Sequence, residues 1–310
     1  MAISIFGGGG RRRLAGKHHA RHRAAVSQRP AATATDGETL RLMSLNIAHA
    51  RRKAQHQSLL KDSTIRRNLE LIADVLEREK PHVVALQEAD GPSFWSGGFD
   101  HVEALAGLAG FPHAFRGEHN REVLSRLDLS YGTALLSHLP LEATHSHAFL
   151  QNWRDTKGFV AATVAPEALA GEPVDVVSIH LDFLADRVRR RQVEQLIERF
   201  HGHEGHLVVM GDFNCSWSER RRSLDLLLHE LKLRPCRESG AATYPAWRPL
   251  VQLDWILVSE GLEFSTYATL DDRVSDHLGV VAEVHRRRSA LHPRERVQVQ
   301  ARRLPSVSLA

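Results

Sequence analysis

The run HLVVMGDFN at residues 206–214 is apolar until it stops on Gly211, Asp212, Phe213 and Asn214. Its length and its valines read as a strand buried on both faces. Similar runs recur along the chain: LRLMSLNIA (40–48), HVVALQE (82–88), LSYGTALLS (129–137), GFVAATVA (158–165), VDVVSIHL (174–181), QLDWILVS (252–259) and SDHLGVVAEV (275–284). Strands apolar on both faces must be covered on both faces. The cover is visible between them. Residues 64–79 place Ile65, Leu69, Ile72 and Leu76 on one helical face, with Ser63 or Thr64 as cap and Pro81 as terminator. Further helices are predicted near 100–109, over 186–200 with Val193, Leu196, Ile197 and Phe200 inward, and over 223–231. The fold class is α/β and layered, with helices outside a buried sheet system. No internal repeat is visible in the sequence.

The ends of the chain differ from its body. Residues 1–35 carry seven Lys/Arg and no acid, and residues 286–310 carry seven Arg and one Glu. Taking those +7 and +6 from the net +4 leaves −9 for residues 36–285. Residues 1–38 and 286–310 are therefore expected to be basic, disordered extensions flanking one domain at 39–285. They suit loose contact with nucleic acid or anionic lipid. The acidic body gives no sign of a basic groove for duplex DNA. No apolar run approaches the ~20 residues of a membrane span, and the N-terminus lacks a secretory core. Two cysteines, Cys215 and Cys236, form no disulfide framework. A cytoplasmic monomer is the expectation.

The buried strands end, or nearly end, on polar residues: Asn46, Glu88, His180, Asp212 with Asn214, Asp254, and Asp276 with His277. One such residue reads as a turn. So many together read as one site at the strand ends. Carboxylate and carboxamide oxygens suit a hard divalent ion such as Mg²⁺, with Mn²⁺ as an alternative. A histidine oriented by a carboxylate suits removal of a proton from water. A neutral histidine or amide suits charge developing on phosphate.

In order and spacing, SLNIA, VVALQE, YGTALLS, VSIHL, VVMGDFN, LDWILVS and SDHLGVVAEV resemble the endonuclease/exonuclease/phosphatase superfamily, whose members include DNase I-like nucleases. The resemblance covers residues 40–285. It implies a four-layer α/β sandwich, with two packed mixed β-sheets flanked by helices. It implies a Mg²⁺-dependent phosphoesterase, most of all a phosphodiesterase, with a nuclease as the leading substrate class. A phospholipid or small-molecule esterase of the same fold, and an inactive binding module working through its basic ends, are the alternatives. By position, Asn46 and Glu88 are implied at the metal, and Asp276 at the metal or as a charge-tuning neighbour. His180 is implied as the phosphate-stabilising histidine, and Asp212 with Asn214 as the pair that activates water and holds phosphate. His277 is implied as general base, oriented by Asp254. The chain departs from some family nucleases at Ala48, where they carry a second carboxylate. Tyr131 stands near a phosphate-contacting tyrosine of others. HGHEGH (201–206) reads as a solvated loop and Cys215 as a bystander. Arg220–Arg222 are a candidate anion contact, and Trp95, Trp153 and Trp217 candidate walls of the mouth.

Overall fold

A computed structural model describes residues 39–117, 119, 130–149, 157–216, 223–236 and 241–287. The first half of the domain comprises β1 (Leu40–Asn46), α1 (Asp62–Glu79), β2 (Val83–Asp90), α2 (His101–Leu108), β3 (His113–Arg116), β4 (Tyr131–Ser137), β5 (Glu142–Ala148) and β6 (Gly158–Val164). The second comprises β7 (Val174–His180), α3 (Asp186–Phe200), β8 (His206–Asp212), α4 (Leu224–Glu230), β9 (Leu233–Pro235), β10 (Asp254–Ser259), β11 (Leu262–Thr269) and β12 (Val280–Arg286). The two halves have the same order of elements. One six-stranded sheet runs β11-β12-β1-β2-β4-β3 and the other β5-β6-β7-β8-β10-β9. Each half thus lends its last two strands to the other half's sheet. The repeat that the sequence conceals is a repeat of topology. At the centre of each sheet lies a parallel pair, β1 with β2 and β7 with β8, bridged by α1 and α3.

The layers explain why the strands are apolar at nearly every position. Leu40 and Leu42 of β1 and Val83 and Ala85 of β2 face the second sheet, where they meet Val176, Val208, Met210 and Ile256. Their neighbours Met43, Leu45, Val84 and Leu86 face the other way, onto Ile65, Leu69, Ile72 and Leu76 of α1. The second sheet repeats the pattern, with Val177, Ile179 and Val209 against Val193 and Leu196 of α3. Side-chain alternation along a strand delivers both faces to apolar neighbours. The result is four layers: helices, sheet, sheet, helices.

α1 begins at Asp62, with Lys61 at its N-cap giving no side-chain bond. Ser63 and Thr64, the expected caps, lie inside the first turn. The Asp62 carboxylate stands there against the positive helix end. Lys80 ends the helix in a left-handed conformation (φ 48°), and Pro81 follows. Four strands were not legible in the sequence. β3 and β9 are only four and three residues long. β5 and β11 are edge strands whose polar residues face water. Among the described residues no helix is long and apolar enough to cross a membrane.

Gly211 shows why the GDFN segment starts with glycine. It pairs with Ile179 across the parallel β7–β8 ladder. Its φ is +153°, and an added Cβ would collide with the Ile179 carbonyl oxygen. Gly211→Ala therefore forces both a clash with backbone and a strained φ. The expected loss is about 3 kcal/mol, a fall in Tm of roughly 6–12 °C by thermal melting.

Candidate active site

A single register row across the second sheet supplies half of the site. Asp254 pairs with Asp212, Asp212 with His180, and His180 with Gly158. Directly paired residues share a face, so three polar side chains project side by side. In the first sheet Asn46 pairs with Gln87 at the end of β1–β2. The β2–β4 register then shifts between Leu86 and Ala89, and Glu88 takes φ +50°. A bulge of this kind re-aims a side chain at the sheet end. The sheets are tied there by polar bonds. Gln87 Nε2 donates to Ser178 Oγ (3.1 Å), Ser178 Oγ to the Leu86 carbonyl (3.0 Å), and Asn46 Nδ2 to Asp212 Oδ2 (3.1 Å).

Asp212 is the hub. Its Oδ1 accepts from the Asn214 amide at 2.9 Å. Its Oδ2 lies 3.5 Å from His180 Nε2 and 3.7 Å from His277 Nε2. His277 Nδ1 is bonded to Asp254 Oδ2 at 2.9 Å. Thr243 Oγ1 accepts from the Leu253 and Asp254 amides, which fixes the start of β10. The ring of Tyr244 packs 4.8 Å from that of His277. Asn214, in a left-handed conformation (φ 46°), turns its Nδ2 to the Leu181 carbonyl at 2.9 Å. Six of the eight residues named from sequence therefore form one connected cluster: Asn46, His180, Asp212, Asn214, Asp254 and His277. Glu88 joins it from the first sheet through the charges of Lys157 and His277. Asp276 is turned aside: its Oδ2 accepts from the Arg51 guanidinium at 2.6 Å.

The sequence did not disclose His49, Asp90, Lys157 and Tyr244 as neighbours of the site. His49 Nδ1 is bonded to Asp90 Oδ1 at 2.6 Å, and its Nε2 lies 3.4 Å from Glu88 Oε2. Asp90 follows Glu88 by two residues, which is the one signal that strand periodicity offers. Trp95 packs edge-on beside His49 and tilted against Tyr131, with ring centroids 5.4 and 5.6 Å away. Trp153, Trp217 and Arg220–Arg222 lie outside the described residues. The HGHEGH stretch is the turn from α3 into β8, where His206 pairs with Glu172 at 3.0 Å and His203 with Asp175 at 3.5 Å. Cys215 is buried, and its carbonyl accepts from Trp255 Nε1.

Burial and charge set the protonation states. Burial pushes Glu88 up, but the positive charges of His49, Lys157 and His277 hold it well below the usual carboxylate range. It is an anion. Burial and then Lys157 hold His180 well below an ordinary histidine, so it is neutral. Burial raises Asp212 to about 7, with Asp254 adding repulsion against the pull of His277. Burial lowers His277, but Asp254 and Asp212 outweigh it and carry it to about 10. A histidine raised from about 6.5 stabilises the fold fully below pH 6.5, and that stability is lost as pH rises through about 10. The metal-free protein is expected to lose Tm between pH 6.5 and 10, and His277→Gln to flatten that slope, as read by melts across pH.

Donor chemistry at the strand ends fits a divalent cation. Glu88 supplies an anionic oxygen beside the Nε2 of His49. Separately, Asp212, Asp254 and His277 place one donor atom each within 4.8 Å of one another. An acidic, mostly dry cluster of this composition holds a cation more readily than it holds a neutral partner.

The profile described as "Endonuclease/Exonuclease/phosphatase family" matches residues 43–277. The chain belongs to the endonuclease/exonuclease/phosphatase family. Members of that family are hydrolases of phosphate esters. Solved structures agree on the fold, two mixed six-stranded sheets flanked by helices. The chain is similar to an endonuclease/exonuclease/phosphatase from Beutenbergia cavernae DSM 12333, with 20% identity, TM-score 0.61, and 80% of this chain and 72% of that one covered. It is similar to the human Nocturnin catalytic domain with bound sulfate, with 19% identity, TM-score 0.61, and coverage of 81% and 94%. It is also similar to D. rerio TDP2 complexed with a single-strand DNA product, with 15% identity, TM-score 0.60, and coverage of 80% and 99%. A search of curated proteins found no match.

Proposed function

We propose that this family member is a divalent-metal-dependent phosphodiesterase that cleaves its substrate by in-line attack of water. The observation that carries the reading is the chain Asp254–His277–Asp212, with contacts of 2.9 and 3.7 Å, set across the strand ends from the anion Glu88. Mg²⁺ or Mn²⁺ bound at Glu88, with Asn46 beside it, would neutralise phosphate charge and act as a Lewis acid.

The chain's own groups do the rest. Asp254 accepts from His277 Nδ1 and so leaves Nε2 to take a proton from water. Asp212 Oδ2, 3.7 Å from that nitrogen, is placed to orient the same water. General-base work needs neutral imidazole, whereas three carboxylates hold His277 protonated in the metal-free site. Positive charge beside Glu88 offsets those carboxylates and moves His277 back toward neutrality. Neutral His180 donates Nε2–H to the oxygens of the pentacovalent phosphate. Asn214 holds the turn that presents the Asp212 carboxylate. Asp276, paired with Arg51, acts as a charge-tuning neighbour of His277.

A nucleic-acid diester is the leading substrate, since the partly exposed aromatic pair Trp95 and Tyr131, packed around His49, suits contact with a base. Exposed Leu59, Phe183, Leu184 and Leu250 in neighbouring loops favour a lipid ester as the second reading. The test is a panel of single-stranded DNA, RNA, phospholipid vesicles and bis(p-nitrophenyl) phosphate with Mg²⁺, Mn²⁺ or chelator. Metal-dependent diester cleavage is expected. Inactivity on every diester and monoester with metal present would sink the proposal.

A further inference from the structure

We propose that His49 is a ligand of the active-site cation, and that this imidazole makes the site favour transition-metal dications over Mg²⁺. The inference rests on the metal-dependent reading above and names the ion that reading leaves open.

The first observation is a pair of distances. His49 Nδ1 is 2.6 Å from Asp90 Oδ1, and Nε2 is 3.4 Å from Glu88 Oε2. In the metal-free site Asp90 and Glu88 favour protonated His49, so Nε2–H pairs with the Glu88 carboxylate. A divalent cation would take the place of that proton, with Asp90 still accepting from Nδ1 and the Nε2 lone pair turned to the ion beside Glu88. Donors that bind one ion at about 2.1 Å stand roughly 3.0–3.5 Å apart. The 3.4 Å gap has that width. A carboxylate behind an imidazole in front of a metal is the arrangement that fixes the tautomer of a ligating histidine.

The second observation is the backbone. Ala48, His49 and Ala50 have φ of 49°, 54° and 54°, three successive non-glycine residues in the left-handed region. Such strain persists where the surroundings over-determine it. Here Ala48 N donates to Asn46 Oδ1, and Asn68 Nδ2 donates to the Ala50 carbonyl at 2.8 Å. The turn therefore presents His49 to Glu88 while Ala48 is buried.

The third observation is how tightly the imidazole is held. Trp95 and Tyr131 meet the His49 ring edge-on, with centroids at 5.4 and 5.3 Å. Asp90 is fully buried, and its Oδ2 has no hydrogen-bond partner among the described residues. A buried carboxylate with a free oxygen is costly unless nearby positive charge offsets it.

Ligand chemistry then sets the preference. Carboxylate and amide oxygens suit Mg²⁺ and Mn²⁺, whereas an imidazole nitrogen favours the later dications, from Fe²⁺ and Co²⁺ to Zn²⁺. The test is calorimetric titration of the full chain with Co²⁺ and with Mg²⁺, for wild type, His49→Ala and Asp90→Asn. Any site binds Co²⁺ more tightly than Mg²⁺, so the change in the ratio decides. Removing His49 should weaken Co²⁺ by roughly 10–100-fold and Mg²⁺ by less than about threefold, and should alter the visible Co²⁺ spectrum. Asp90→Asn should weaken Co²⁺ by about tenfold with a smaller effect on Mg²⁺. Equal losses for both ions, or none, would show that His49 only braces Glu88 and would overturn the proposal. If His49→Ala does not fold by circular dichroism, the Asp90→Asn titration decides by the same criterion. Selective Co²⁺ binding without turnover would leave this inference standing and remove the phosphodiesterase.

Discussion

His277→Ala should lower kcat on a phosphodiester by about 10³-fold while KM changes by less than about threefold, because general-base catalysis contributes 10²–10⁴-fold. The split matters. In the proposed mechanism His277 acts on the attacking water and not on the bulk of the substrate, so its loss should act on the transition state and leave ground-state binding nearly intact. Asp254→Asn should cost less, because the imidazole stays in place but its Nδ1 partner becomes an amide. The two losses should not multiply, since Asp254 acts through His277 at 2.9 Å. Steady-state kinetics of the two single variants and the double variant measure this. Multiplicative losses would contradict the assignment.

Glu88→Gln is the second large effect. Glu88, at the end of β2, is held as an anion by the positive charges of His49, Lys157 and His277. Neutralising it removes the strongest oxygen donor on the first-sheet side. Affinity for divalent cations should fall by at least about 100-fold, beyond the 10–100-fold typical of an outer partner, and activity should fall with it. The fold should survive, because a glutamine keeps the shape and the bulge is set by backbone register. In the metal-free protein the substitution also removes the carboxylate opposite His49. Calorimetric titration and melts with and without Mg²⁺ separate the two consequences: wild type gains Tm on adding metal, and the variant does not.

The central strands were legible because both faces of each are buried, so their segments are apolar throughout and end sharply. β1, β2, β7, β8 and β10 have this character, and they carry Asn46, Glu88, His180, Asp212 and Asp254. Register then does what sequence alone could not show, bringing Asp254, Asp212 and His180 into one row. The edge strands β5 and β11 escaped notice because water on one side permits polar residues. The topological repeat was hidden because only the order of elements recurs. His49 was not legible because its place beside Glu88 depends on a left-handed turn at Ala48–Ala50, which contains no glycine to announce it. Lys157 was missed for a similar reason. It precedes β6, and only sheet register sets it beside His180. Asp276 has the right neighbourhood in sequence, yet Arg51, from the loop after β1, holds its carboxylate.

The most direct test is a single-turnover reaction of the full chain with a phosphodiester in H₂¹⁸O, with Mn²⁺ or Mg²⁺ and again with chelator. Water attacking phosphorus under His277 predicts one ¹⁸O in the phosphoryl product of each turnover, and none without metal. Label in the alcohol product, or turnover unchanged by chelator, would contradict it.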